Sequence, residues 1–91
     1  MRITESVLCE LVRSLNKALK MPEKAFDDTA GRWTKGAYDL RPIEGGYQVV
    51  KLKTVTTGAV EPMSPAALCQ PREVYAWLEG AIYCIEHYHS D

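Results

Sequence analysis

Apolar residues near the N-terminus recur with a helical period. Val7, Leu8, Leu11, Val12, Leu15, Ala18 and Leu19 fall at i, i+3, i+4 and i+7 spacings and so share one face of a helix. Thr4 stands where an N-cap would accept a free amide of the first turn, and Pro22 limits the helix to about Lys20. Arg13, Lys17 and Lys20 share the opposite face, and their place near its C-terminal end suits the helix dipole. From Pro22 to Gly36 the period is lost. Asp27-Asp28-Thr29-Ala30-Gly31 is turn chemistry, so this stretch reads as a connector with at most one helical turn, around Glu23 to Phe26. Phe26 and Trp33 are expected to pin it to the core.

Two strand-like runs follow, Ala37 to Ile43 and Tyr47 to Thr54, separated by Glu44-Gly45-Gly46. A three-residue loop sets Ile43 opposite Tyr47, Leu40 opposite Val50, Tyr38 opposite Leu52 and Asp39 opposite Lys51, so that every pair matches in character. A two-residue loop shifts the register by one. It is expected to set Leu40 opposite Lys51 and to divide the apolar set between the two faces, which favours the longer loop. The glycines then supply positive φ in a turn. A phosphate cradle would need a helix N-terminus directly after them, and here strands flank both sides.

Thr56-Thr57-Gly58 reads as a second turn, leading to a short strand around Ala59 to Met63 that Pro62 restricts to an edge or a terminus. Pro71 fits the first position of a closing helix whose stripe is Val74, Trp77, Leu78, Ala81, Ile85 and Tyr88. Gly80 costs that helix about 1 kcal/mol and is read as marking a close crossing over the sheet. The predicted fold is a single α+β domain over residues 1–91, in the order helix, three antiparallel strands, helix.

Composition adjusts this picture in three places. The net charge of −1 argues against a strongly basic nucleic-acid binder, yet the charge is unevenly spread. Residues 1–53 hold ten Lys/Arg against seven acids, net +3, and residues 54–91 hold one against five, net −4. Cys9, Cys69 and Cys84 show no Cys-x-x-Cys spacing, which suggests neither a disulfide framework nor a zinc ribbon and fits a reducing cytoplasm. The start Met-Arg-Ile-Thr-Glu-Ser lacks the apolar run of a signal peptide, and no window is apolar enough to span a bilayer. A soluble, unprocessed protein with no membrane partner is expected.

Candidate chemistry is sparse. Cys84, Glu86, His87 and His89 lie close in sequence, but His87 and His89 point about 200° apart on a helix, which leaves Cys84 and His87 alone on one face. Cys9 and Cys84 lack an adjacent base, and the carboxylates do not pair in a cleft-forming pattern. Neither catalysis, a metal nor a cofactor is expected. What remains is surface. Alternation in the three-residue register places Ile43, Tyr47 and Val49 together, with Arg41, Asp39, Lys51 and Lys53 around them. If both helices cover the other face, Arg41, Ile43, Tyr47 and Val49 form an exposed protein-contact patch, used for a partner or a homodimer. The alternative is that the 22–36 connector folds over it. On the closing helix, Tyr75, Ile82 and Tyr83 fall outside the stripe, as a dimer seam or a wider core face. A rival class of partner is nucleic acid, held by Arg13, Lys17, Lys20, Lys24, Arg32 and Lys35.

The αβββα order resembles the double-stranded RNA-binding domain, a reader of A-form backbone. That family carries lysines at the start of its second helix, where this chain has Gln70-Pro71-Arg72-Glu73-Val74. The Gly45-Gly46-Tyr47 hairpin followed by Glu73-Val74-Tyr75-Ala76-Trp77-Leu78-Glu79-Gly80 resembles small uncharacterised proteins encoded by phages and mobile elements of bacteria, over roughly residues 37–85. That second resemblance implies a bacterial cytoplasm and a non-enzymatic accessory or inhibitor that binds a host, defence or phage protein.

Overall fold

The computed structural model describes residues 2–88. In chain order the elements are α1 (Glu5–Ala18), β1 (Phe26–Asp27), β2 (Arg32–Trp33), β3 (Tyr38–Ile43), β4 (Gly46–Leu52), β5 (Val60–Pro62) and α2 (Pro71–Tyr88). This is the expected α+β architecture, with a three-stranded antiparallel sheet in the order β3-β4-β5 and helices at both ends of the chain. A two-stranded β1-β2 hairpin is added where the sequence suggested a helical turn around Glu23 to Phe26. The Asp27 carboxylate folds that hairpin's loop by accepting the amides of Thr29 and Ala30 at 2.9 and 3.1 Å.

Both helices start on local signals. Thr4 Oγ1 accepts the Val7 amide at 3.3 Å and caps α1. At α2 the Gln70 carbonyl accepts the amides of Glu73 and Val74 in the first turn, while Glu73 Oε1 reaches back to accept the Gln70 amide at 3.2 Å, the N3 half of a capping box. Leu8, Val12 and Leu15 of α1 meet Val74 and Leu78 of α2 over Val49, and all six are buried. Tyr75 and Ile82 pack on this same layer, so they widen the core face of α2.

The hairpin register differs from the expected one. The loop is two residues, Glu44-Gly45, and pairs Ile43 with Gly46, Leu40 with Val49, Asp39 with Val50 and Tyr38 with Lys51. Leu40 therefore faces a valine and not a lysine. Partners share a face, so Tyr38, Leu40, Tyr47 and Val49 turn toward the helices, and Val50 and Leu52 turn the other way. The longer loop follows only if a single face of the hairpin is buried. Here both faces of β4 are covered, and adjacent Val49 and Val50 are both buried.

The second cover is the 22–36 connector. Leu52 is buried with Ala25 and Ala37, and Trp33 and Val60 pack against them. Trp33 N–H donates to the Val55 carbonyl at 3.0 Å and Thr34 N–H to the Ala25 carbonyl at 2.7 Å. Trp33 anchors the layer; Phe26, set edge-on to it at 4.9 Å between ring centroids, remains 37% exposed.

Gly80 does not mark a close crossing. It is exposed, with no atom within 4 Å of where a Cβ would sit. Gly80→Ala is accordingly expected to stabilise the domain by about 0.5–1 kcal/mol and raise the melting temperature by a few degrees in a calorimetric scan. A lower melting temperature would show that this face of α2 is occupied.

Candidate functional site

The outer edge of β3 borders a cleft. Asn16, fully buried on α1, accepts the Tyr38 amide on Oδ1 at 2.7 Å, and its Nδ2 donates to the carbonyls of Tyr38 and Glu23 at 3.0 and 3.2 Å. One side chain thus occupies the place of a fourth strand beside Tyr38 and ties the connector to it. The signal for this residue was present in the sequence: Asn16 lies four positions after Val12 and eight after Leu8, a polar residue on the apolar stripe.

Beyond Asn16 the gap between α1, residues 23–28 and β3 opens into a cleft of about 260 Å³. Val12, Tyr38, Leu40, Phe26 and Trp33 give it apolar and aromatic walls. Its charged groups are of both signs, with Arg13 and Lys24 against Glu23, Asp28 and Asp39. Asp39 shapes the edge. Its Oδ1 accepts the Leu40 amide at 2.9 Å and its Oδ2 pairs with Arg41 Nε at 3.1 Å. The Arg41 guanidinium lies over Trp33, 5.0 Å from the ring centroid, where cation–π attraction offsets part of the desolvation of its buried Nη2. Two residues further on, Pro42 has no amide to offer. Strand addition along β3 is thereby blocked at Tyr38, Leu40 and Pro42 in turn.

Cys9 also lines the cleft. Burial, then the negative charge of Glu5, pushes its thiol up, and nearby Arg13 opposes this only in part. The thiolate needed for nucleophilic attack is therefore scarce near neutral pH. Tyr75, on α2, is likewise pushed up, chiefly by Glu79 beside it.

The proposed contact patch is not assembled. Val49 is fully buried under the helices and Tyr47 packs into the same layer, while the register turns Arg41 and Ile43 to the opposite face. The six cations assigned to nucleic acid are all exposed but dispersed. Arg13 and Lys24 line the cleft among acids, Lys17 and Lys20 stand at the end of α1, Arg32 is on β2, and Lys35 lies at a separate concavity. On α2, Cys84 is exposed and the His87 ring stacks on Tyr83 with centroids 4.2 Å apart; His89 lies outside the described residues. Among the described residues no helix is long and apolar enough to cross a membrane.

Comparison of the chain with protein-family models, with curated proteins and with solved structures finds no match.

Proposed function

We propose that this chain is a non-enzymatic protein-binding module that takes a short segment of a partner protein into the cleft beside β3. The observation that carries this reading is the lining: an aromatic and aliphatic wall, open to solvent at Phe26, ringed by exposed charges of both signs. That composition suits a protein contact, where an apolar anchor fills the centre and polar groups at the rim set orientation. Blocking of the edge amides fits insertion of side chains and not addition of a strand. The raised pKa of Cys9 works against a covalent role for the thiol that lines the cleft. The phage and mobile-element resemblance gives this module a setting, a bacterial cytoplasm in which it inhibits or modulates a host or defence protein.

The experiment is affinity capture from the native host with wild type and two cleft variants, Phe26→Ser and Arg13→Glu. Loss of Phe26 removes an aromatic pair contributing about 0.5–1.5 kcal/mol, so the domain stays folded. Both variants are expected to lose the captured partner at least tenfold, while Ile43→Lys on the hairpin retains it. Capture unaffected by either cleft substitution would remove the site.

A further inference from the structure

We propose that the end of the sheet opposite the Glu44-Gly45 loop binds the phosphodiester backbone of nucleic acid through Lys35, Lys51 and Lys53. The turn at residues 35–36 and the last residues of β4 enclose a shallow concavity of about 560 Å³, lined by these lysines together with Gly36, Leu52 and Glu61. Three ammonium groups share it with one carboxylate. Glu61 is the cross-strand partner of Lys51, yet among the described residues no carboxylate lies within ion-pair reach of any of the three lysines; the ion pair formed is Arg41 with Asp39. Lys51 is half-buried, which lowers the local screening and raises what an arriving anion gains.

The same end collects further positive charge. Asn16 bonds Tyr38, the strand partner of Lys51, and a Cβ on Gly36 would sit 2.8 Å from the Met21 methyl. The last turn of α1, with exposed Lys17 and the following Lys20, is therefore brought to this side of the molecule. Lysines are point charges on flexible stems, able to follow phosphates without a fixed geometry. No arginine, amide side chain or aromatic ring lines the concavity, so the contact is with the backbone and carries no base readout. A repeating polyanion is the occupant that several separated ammonium groups on one open surface suit. The site is separate from the cleft and distant in sequence from the start of α2.

The test is fluorescence anisotropy of the full chain with labelled single-stranded and duplex oligonucleotides of mixed sequence, over a range of salt. Three phosphate contacts correspond to a slope of log affinity against log salt of about −2 for single strands and about −2.7 for duplex, and the higher affinity at matched salt tells which form is preferred. The triple change Lys35→Gln, Lys51→Gln, Lys53→Gln is expected to weaken binding at least tenfold at low salt and flatten the slope. Arg72→Gln, at the start of α2, is expected to leave both unchanged. Lys53→Gln alone, at an exposed position, keeps the test decisive if the triple variant unfolds, and is expected to weaken binding several-fold. Absence of binding to either oligonucleotide at low salt, or binding whose affinity and slope survive these substitutions, would overturn the proposal.

Discussion

Gly46→Ala is expected to be the most damaging small substitution in this chain. A Cβ at residue 46 would overlap the Cys69 carbonyl oxygen and sit 2.7 Å from the Cys69 carbonyl carbon. Both are backbone atoms, so no rotamer change relieves the overlap. The segment that carries them is held to the sheet by the Tyr47 amide, which donates to that same oxygen at 2.9 Å, and it leads within two residues into α2. Moving it breaks this bond and shifts Val74 and Leu78 relative to the core. Overpacking of a well-fitted site costs about 1–3 kcal/mol and a lost hydrogen bond about 1 more. An expected loss of about 3 kcal/mol is a large share of the roughly 5–13 kcal/mol available to a domain of this length. In urea denaturation the midpoint should fall accordingly.

The neighbouring glycine supplies the control. Gly45 has φ of +88°, and a Cβ there meets only the Cys69 sulfur, at an ordinary 3.6 Å. Gly45→Ala carries the left-handed backbone penalty alone, about 1–2 kcal/mol. Hairpin geometry by itself makes Gly45 the indispensable residue; the tertiary contact reverses the order. Equal or smaller loss at Gly46 than at Gly45 would mean that residues 69–70 do not pack on the hairpin.

Asn16→Leu is expected to rival it. The substitution keeps the volume but removes one acceptor and two donated bonds, stranding the Tyr38 amide and the carbonyls of Tyr38 and Glu23. Each buried group left without a partner costs about 1–3 kcal/mol, so a total loss near 3–5 kcal/mol is expected, with partial relief from water at the cleft edge. Hydrogen exchange reads the local effect directly, because the Tyr38 amide should lose its protection before those of β4. Asn16→Asp separates hydrogen bonding from packing. A carboxylate there still accepts the Tyr38 amide but faces two carbonyls, and burial raises its folded-state pKa above the unfolded value. The variant's stability is therefore expected to be highest below the carboxylate's unfolded pKa and to fall as pH rises through the raised folded pKa, a dependence that Asn16→Leu lacks.

The Asn16 and Gly46 sites show where reading the chain stops short. Asn16 stood on the α1 stripe as a polar exception, so a buried role was legible, but its partners lie 7 and 22 residues away in sequence and no local pattern names them. Gly46 read as half of a turn. Its actual constraint comes from a carbonyl 23 positions later, and a glycine kept for close approach carries the same letter as one kept for φ. The cleft was missed for a related reason. It is built from one helix, one connector and one strand edge, none of which is distinctive alone, and Phe26 and Trp33 signalled burial without saying which face they would cover.

What the amino-acid sequence determined by itself is what short-range physics controls. The 3.6-residue stripes fixed both helices, Thr4 and Pro71 fixed their starts, and the Gly-containing turns fixed three antiparallel strands and the α+β order. Only the tertiary structure decided the hairpin register and therefore the facing of every side chain on β3 and β4. A period of two makes the two registers equally regular, and the choice depends on how many faces are buried. The connector at residues 22–36 covers the second face through Trp33 and Ala25, and this long-range packing sends Val49 to one core and Leu52 to the other.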